Sequence, residues 1–385
     1  MIPAARVQAS IEILDEILAG KPVEKALTNW ARRSRFAGSK DRAAVRDHVF
    51  DALRCKRSFA ALGGAETGRG LMIGAVRASG GALDNLFTGD RHAPTVLTVD
   101  EAARGFVTEA EQFDIPEWLW PRFQSSLGGQ AVEVAEALRH RAPVHLRVNL
   151  IKIDIAGAIA ALDAEGIKAV VHPTCDTALE VTDGARKIAM SKAYTEGLVE
   201  LQDAASQAVV AALDLKPGMR VLDYCAGGGG KSLALAAHQG VDVFAHDVNS
   251  ARMRDLPARA ERAGARVTLL STSELAGQAP FDVVLVDAPC SGSGSWRRAP
   301  AGKWALTENR LQELGEIQFG ILDKLTSMTA SGGVLAYATC SILDDENGCV
   351  VDRFLQTNTD WSERLRKTWL VSHGTDGFFA AHLTQ

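Results

Sequence analysis

Two cysteines stand in turns that follow apolar runs: Cys290 in Asp287-Ala288-Pro289-Cys290-Ser291-Gly292, and Cys340 in Ala338-Thr339-Cys340-Ser341. The runs before them, residues 281–286 and 334–338, have the length and apolarity of buried strands. An open parallel sheet keeps its ligands outside the carboxyl ends of its strands, so both thiols are expected at one sheet edge. A thiolate is a strong nucleophile, and a pair of thiols beside a nucleotide-type pocket suits addition of sulfur to an electrophilic ring. On a pyrimidine, attack at carbon 6 makes carbon 5 nucleophilic, and carbon 5 then takes a methyl group from a sulfonium donor. A base removes the carbon-5 proton and the sulfur leaves. Asp287 is placed to accept from the exocyclic amine of a cytosine, and a base that reacts this way must leave its stack. Taken singly, either cysteine reads more readily as a small packing residue. The residues alone leave open which thiol attacks.

A second constellation lies upstream. Val221-Leu222-Asp223 runs into Tyr224-Cys225-Ala226-Gly227-Gly228-Gly229-Gly230-Lys231, a strand-to-helix turn whose glycines permit positive φ and close approach of a ligand. A strand later, Asp247 stands where an acid commonly takes ribose hydroxyls. Three ligands compete for the turn. A P-loop needs glycine six positions before its lysine, and Cys225 occupies that place. A dinucleotide fingerprint matches loosely. A sulfonium nucleoside fits as well, with Asp223 holding its ammonium. A tight packing turn without a ligand is the plain alternative.

The elements that must carry these turns follow from the wider pattern. Strand candidates at 220–224, 241–246, 266–270, 281–286 and 334–338 alternate with helical stretches, notably 307–329. That alternation predicts a parallel α/β sheet with right-handed crossovers. Trp369–Ser372 and Gly377–His382 are expected to close it as an antiparallel hairpin. Residues 140–200 read as a small α+β domain, with strands at 144–150 and 169–172 around a helix at 155–165. Residues 1–139 read as helical: Val7, Ile11, Leu14, Ile17 and Leu18 share one helix face, Gly20 ends it, and a later helix from Ser39 buries Val45, Val49, Phe50 and Leu53. Trp118, Trp120 and Phe123 are expected to cluster. Domains at 1–139, 140–200 and 201–385 result.

The chain has 385 residues, 46% hydrophobic and 23% charged, with a net charge of -5. This is ordinary globular composition, and gives no global sign of a nucleic-acid binder. Local charge does: Arg32, Arg33, Arg35, Lys40, Arg42, Arg46, Arg54, Lys56 and Arg57 face only Asp41, Asp47 and Asp51 between residues 30 and 58, which suits an anionic partner or a solvated helix face. Six cysteines without metal spacing fit a reducing compartment and no metal site. No run is long enough for a membrane span, and no leader is apparent at Met1–Arg6. A soluble, cytoplasmic, monomeric protein is expected.

These motifs resemble the RsmB/Nop/Sun family of S-adenosyl-L-methionine-dependent RNA cytosine carbon-5 methyltransferases. Asp287 to Gly294 resembles that family's fourth motif, and Thr339-Cys340-Ser341 through Glu346-Asn347 its sixth. Arg297-Arg298, Pro300, Lys303-Trp304 and Gln318 resemble the segment between them, Gly197 with Gln202-Asp203 and Ser206-Gln207 resembles the start of the catalytic domain, and Asp376-Gly377-Phe378-Phe379 its closing motif. The resemblance implies a class I, Rossmann-like methyltransferase domain, an antitermination-factor-like helical domain before it, and S-adenosyl-L-methionine bound by Asp223, Cys225 to Gly230, Lys231, Asp247 and Asp287. It implies Cys340 as nucleophile and Cys290 as the thiol that aids release, with Asp287 and Lys231 orienting base and cofactor. RNA, small-subunit ribosomal RNA in particular, is the implied partner. Arg32, Arg33, Arg35, Lys40, Arg42, Arg147, Asn149, Arg297 and Arg298 are its expected contacts. Two positions depart from the pattern. Gly228 stands where the family has proline, and Ser271-Thr272-Ser273-Glu274 lacks the usual acid near the adenosine, which leaves Thr272 or Ser273 to substitute through a hydroxyl. A non-catalytic RNA-binding assembly factor and a P-loop NTPase are the rival readings. Retention of both cysteines, Asp287 and Asp247 argues against the first, and Cys225 against the second.

Overall fold

The computed structural model describes all 385 residues. The chain divides into two compact units: Met1–Arg141 together with Trp296–Ala305, and Ala142–Ser295 together with Leu306–Gln385.

The first unit is helical. Its opening helix, Pro3–Leu18, has proline in its first turn and buries Val7, Ile11, Ile13 and Leu14. Helices Val23–Arg33, Ser39–Arg54, Lys56–Gly63 and Gly68–Ala78 pack around the same core through Trp30, Val45, Val49, Leu53, Leu71 and Ile73. The excursion Trp296–Ala305 is held at the end of helix Ser39–Arg54, where carbonyls lack intrahelical partners. Lys303 Nζ donates to Arg54 O at 2.9 Å and Trp304 Nε1 to Leu53 O at 2.7 Å. In return Arg54 Nε donates to Arg297 O at 2.7 Å. A cation there also meets the negative end of the helix dipole. Nearby, fully buried Asp114 accepts from Arg57 N, Ser58 N, Ser58 Oγ and Arg139 Nε.

The second unit holds two sheets. Strands β1 (Val144–Val148), β2 (Lys168–Val171), β3 (Ala178–Asp183) and β4 (Val199–Leu201) form an antiparallel sheet in the order β2-β3-β1-β4. Helix Ile155–Ala164, capped by Asp154, joins Leu146, Val148, Leu179 and Val181 in one core. Strand alternation sends His145 and Arg147 to the other face. The larger sheet comprises β5 (Arg220–Asp223), β6 (Asp242–Ala245), β7 (Thr268–Leu269), β8 (Phe281–Asp287), β9 (Thr329–Thr339), β10 (Ser362–Trp369) and β11 (Phe378–Thr384), in the order β10-β11-β9-β8-β5-β6-β7. Strands β5 to β9 run parallel, and β11 pairs antiparallel to β9 and β10. Val221, Val283, Leu285, Ala336 and Ala338 bury on one face, Leu222, Val284, Val286, Leu335 and Tyr337 on the other. Burial on both faces is why these strands read as unbroken apolar runs. Chain order reverses between β5 and β8, which opens a ligand crevice at their carboxyl ends.

Several boundaries differ from expectation. The helix expected over 307–329 spans Glu308–Leu325, and β9 begins at Thr329 rather than 334. The closing hairpin uses Ser362–Trp369, not 369–372, because Arg364, Arg366 and Lys367 on this sheet-edge strand hide its alternation. Residues 371–373 form a 3₁₀ turn. The small domain also has β3 and β4, which the sequence pattern does not predict, β4 being only three residues long. Trp118 is not in the expected aromatic group: Phe113, Trp120 and Phe123 stack instead, with centroids 5.5 and 5.8 Å apart. Phe50 is half-buried, with the Arg46 guanidinium 4.7 Å from its ring centre. Residues 296–305, read as catalytic-domain sequence, lie in the first unit. No helix is long and apolar enough to cross a membrane.

Lys303 gives this unit a pH signature. Burial pulls its amine from 10.5 down to about 8, against the opposing pull of Asp114. The unfolded chain therefore holds this proton more tightly, and stability should rise as pH climbs from about 8 toward 10.5, with a slope no steeper than about 1.4 kcal/mol per pH unit. Urea unfolding of wild type and Lys303→Met at pH 8 and pH 10 checks this. The wild type should gain relative to the variant at the higher pH, and equal slopes would remove Lys303 as the cause.

Candidate active site

The crevice at the reversal point is a cavity of about 780 Å³. Its floor is the turn after β5. Gly229, at φ +79, caps helix Gly230–Leu235, and a Cβ there would sit 2.2 Å from Leu256 Cδ1. A left-handed conformation against a buried leucine admits only glycine. The turn is tied from the next strand: Asp247 accepts from Gly227 N and Asn249 N, each at 2.9 Å, and pairs with Arg252 at 3.1 Å. A carboxylate with these bonds keeps lone pairs for a further donor. Asp223 is fully buried, with Oδ2 bonded to Ser232 Oγ at 2.6 Å and Oδ1 without a partner. Burial raises its carboxyl to about 6, with the neighbouring Asp287 charge adding to the rise. A buried acceptor left open is costly, and it suits a cationic donor entering the cavity. The Cys225 thiol, pushed up to about 12 by burial and then by Asp223, is a packing group of the cavity wall.

Both cysteines line the same cavity. Parallel pairing of β8 and β9 sets Asp287 beside Ala338, so the turns that follow carry Cys290 and Cys340 side by side, with sulfurs 3.3 Å apart. Lys231 Nζ reaches Asp287 Oδ2 at 2.7 Å. Burial lowers the lysine's proton affinity, but Asp287 more than restores it, with Asp223 and then Cys340 adding to the rise, so Lys231 stays a cation. Cys290 lies in a different field. Its contact with Cys340, burial and the Glu346 charge all push its thiol well above the usual range.

Beneath the thiols a buried polar network joins the two turns. Glu346, fully enclosed, accepts from Ser291 N (2.7 Å), Ser291 Oγ (2.5 Å), Ser341 Oγ (2.6 Å) and Gln318 Nε2 (3.2 Å). Ser293 and Ser341 hydroxyls meet at 2.8 Å, Gly294 N donates to Cys340 O, and Thr339 Oγ1 bonds Asn347. Gly294 also lies against the tail, where a Cβ would come within 2.0 Å of Gly377 O.

The sequence motifs placed most of this cavity: Asp223, Cys225, Ala226, Gly227, Gly228, Gly230, Lys231, Asp247, Asp287, Cys290 and Cys340 all line it. Gly229 turns the chain rather than lining the space. Thr272 is a correction. It is absent from the cavity wall, with its hydroxyl bonded to His246 Nε2 at 3.0 Å; Ser273 is absent from it too, with its hydroxyl 3.0 Å from that of Ser271. Arg147 and Asn149, expected at an RNA surface, are interior. Arg147 donates to Gln202 Oε1 (2.5 Å) and Gly230 O (2.7 Å), which braces the glycine turn, and Asn149 Nδ2 donates to Gly197 O and Ala263 O. Their polar strand pattern reflects docking of the small sheet onto the large one. Arg297 is also buried, while Arg298, Arg32, Arg33, Arg35, Lys40 and Arg42 are exposed. Arg252 and Arg310 line the cavity, and no local motif marks them; Gln202 lines it too, within a motif that did not assign it to the site. Glu346 and Gln318 also fall in motifs, but what they bond to depends on the fold.

Comparison with known proteins matches residues 210–384 to the family described as 16S rRNA methyltransferase RsmB/F. Residues 115–186 match the ferredoxin-like domain of RsmF/B-like methyltransferases. Ribosomal RNA small subunit methyltransferase B of Escherichia coli (strain 536) is 34% identical over 68% of this chain and 62% of that protein. Its namesake from Salmonella arizonae is 34% identical over 66% of this chain and 61% of that protein. The chain thus spans about three fifths of these relatives' length. Among solved structures, a methyltransferase homolog from Pyrococcus horikoshii is 26% identical over 71% of this chain and 96% of its own, with a TM-score of 0.63. The structure of PH0851 shares the fold across 100% of this chain and 99% of its own, at 24% identity and a TM-score of 0.79.

The raised Cys290 thiol has a direct readout. Iodoacetamide near pH 8 should modify Cys290 at least about tenfold more slowly than it modifies free cysteine, since only thiolate reacts. Peptide mass mapping over time measures the rate, and a rate equal to that of free cysteine would show that the surroundings of Cys290 do not hold its proton.

Proposed function

Through its methyltransferase domain at 210–384 and the ferredoxin-like domain at 115–186, the chain belongs to the RsmB/F family, and on that premise we propose that it methylates carbon 5 of cytosine in small-subunit ribosomal RNA, using S-adenosyl-L-methionine. The observation that carries this reading is the 3.3 Å approach of two thiols in the wall of a cavity that also contains Asp223 and Asp247. The residues fit the cofactor. The open Oδ1 of Asp223 suits its ammonium, Asp247 its ribose hydroxyls, and about 780 Å³ is within the usual range of ligand pockets. When bound, S-adenosyl-L-methionine supplies an electrophilic methyl group.

This chain's own residues do the rest. Cys340 adds as thiolate to carbon 6 of a flipped cytosine. Asp287 accepts from the exocyclic amine while Lys231 fixes its orientation. Carbon 5, now nucleophilic, takes the methyl group. Its proton passes to water, the carbon 5–carbon 6 double bond reforms, and the carbon–sulfur pair returns to Cys340. Cys290 aids that last step. The exposed arginines at 32, 33 and 35 suit phosphate contacts. The reading carries with it a monomeric, cytoplasmic enzyme acting on RNA.

The assay is transfer of labelled methyl from S-adenosyl-L-methionine to unmodified small-subunit RNA. Cys340→Ala should abolish both transfer and the covalent protein–RNA band on denaturing gels. Cys290→Ala should accumulate that band, and the reverse pattern would exchange the two roles. Asp223 adds a pH dependence. With its carboxyl at about 6, it is ionised above that pH and neutral below, so donor affinity should fall by up to tenfold per unit below pH 6. Calorimetric titration should show this loss in wild type and not in Asp223→Asn, which should bind weakly at every pH. A wild-type affinity that stays flat to pH 5 would rule out Asp223 as the ammonium's partner.

A further inference from the structure

We propose that Glu346 is a positioning residue that clamps the two cysteine turns together and keeps Cys290 a protonated donor beside the Cys340 sulfur. The inference rests on the reading of the reaction given above and deepens it.

Three observations carry it. The Glu346 carboxylate is fully enclosed, and all four of its donors, from Ser291, Ser341 and Gln318, are neutral. With only neutral donors bonded to it, the carboxylate has no bonded cation to offset its field at the neighbouring turns. Second, the donors come from both turns: Ser291 follows Cys290 directly and Ser341 follows Cys340. Gln318 adds a tie to Pro289 O at 2.9 Å, and Tyr337 OH fixes the Glu346 backbone at 2.6 Å. One side chain therefore sets the separation of the two sulfurs. Third, its charge adds to the upward push on the Cys290 thiol, after the contact with Cys340 and burial. The other ionisable groups around Cys290 are Cys340, Tyr337 and, along the cavity wall, the Lys231–Asp287 pair and Arg310. Tyr337 is held neutral by burial, which leaves Glu346 as the negative charge set under Cys290.

The chemical consequence is a division of labour. A thiol held protonated 3.3 Å from its neighbour donates its S–H to the Cys340 sulfur. As carbon 5 yields its proton to water and the carbon–sulfur pair returns to Cys340, that hydrogen bond stabilises the departing thiolate. Release would thus depend on Cys290 as a donor, and Glu346 keeps it one.

The test begins without RNA or methyl donor. In a Cys340→Ser background, the rate of Cys290 alkylation by monobromobimane is followed by mass spectrometry from pH 6 to 10. Adding Glu346→Gln should shift the profile down by about one pH unit, which is about tenfold faster modification on the rising limb. Glu346→Asp, which retains the charge, should restore the parental profile. With both cysteines present, Glu346→Gln should lower kcat at least tenfold, change KM for RNA and methyl donor less than threefold, and lengthen the life of the covalent band. A merely structural role would alter thermal stability without moving the alkylation profile. An unchanged profile in a folded Glu346→Gln protein overturns the proposal. If Glu346→Gln does not fold, Ser291→Ala with Ser341→Ala removes hydroxyl ties while leaving the charge. That protein should keep the Cys290 profile and lose kcat, and a shifted profile there overturns the proposal. Absence of any methyl transfer by wild type would instead count against the reaction, while the thiol profiles would still stand.

Discussion

Every part of the site depends on one geometric constraint: two sulfurs must share one point in space although 50 residues separate them. Parallel pairing of β8 with β9 meets it. Asp287 lies beside Ala338, so the chain leaves both strands at the same edge, and each turn delivers its cysteine within two or three residues. Parallel neighbours need a long crossover, and here the crossover contains the excursion 296–305 and helix Glu308–Leu325. Ten residues that begin soon after the Cys290 turn thereby belong to the helical unit, where they cap helix Ser39–Arg54.

Proximity alone would make the thiols equivalent. The surrounding charges make them different. Lys231, a cation maintained by Asp287 despite burial, lines the same cavity, while the Glu346 charge adds to the upward push on the Cys290 thiol. Removal of either partner would leave a buried charge uncompensated, a cost larger than the loss of an ordinary hydrogen bond.

The small sheet contributes in a way its exposed-looking polar residues did not suggest. Arg147 spans from β1 to Gly230 O, at the start of the helix under the glycine turn, and shares Gln202 of the cavity wall. Asn149 ties the same strand end to Gly197 and Ala263. Polar residues alternating with apolar ones read equally as a solvent face or as a hydrogen-bonded interface, and burial decides between them.

Local pattern alone determined a great deal. The apolar strand runs, the glycine turn, Asp247 after β6 and the two cysteine turns were all legible, because each depends on residues near one another in the chain. The charged edge strand β10, the short β4, and the early start of β9 were not, because their periodicity is weak or broken. What only the tertiary structure decided is which polar groups face each other: Glu346 with both turns, Arg147 with the glycine turn, Thr272 away from the cavity, and residues 296–305 in the helical unit. The physical reason is that propensity and turn chemistry act over a few residues, whereas the charge felt by a buried group is set by whatever the fold brings beside it, at any distance along the chain.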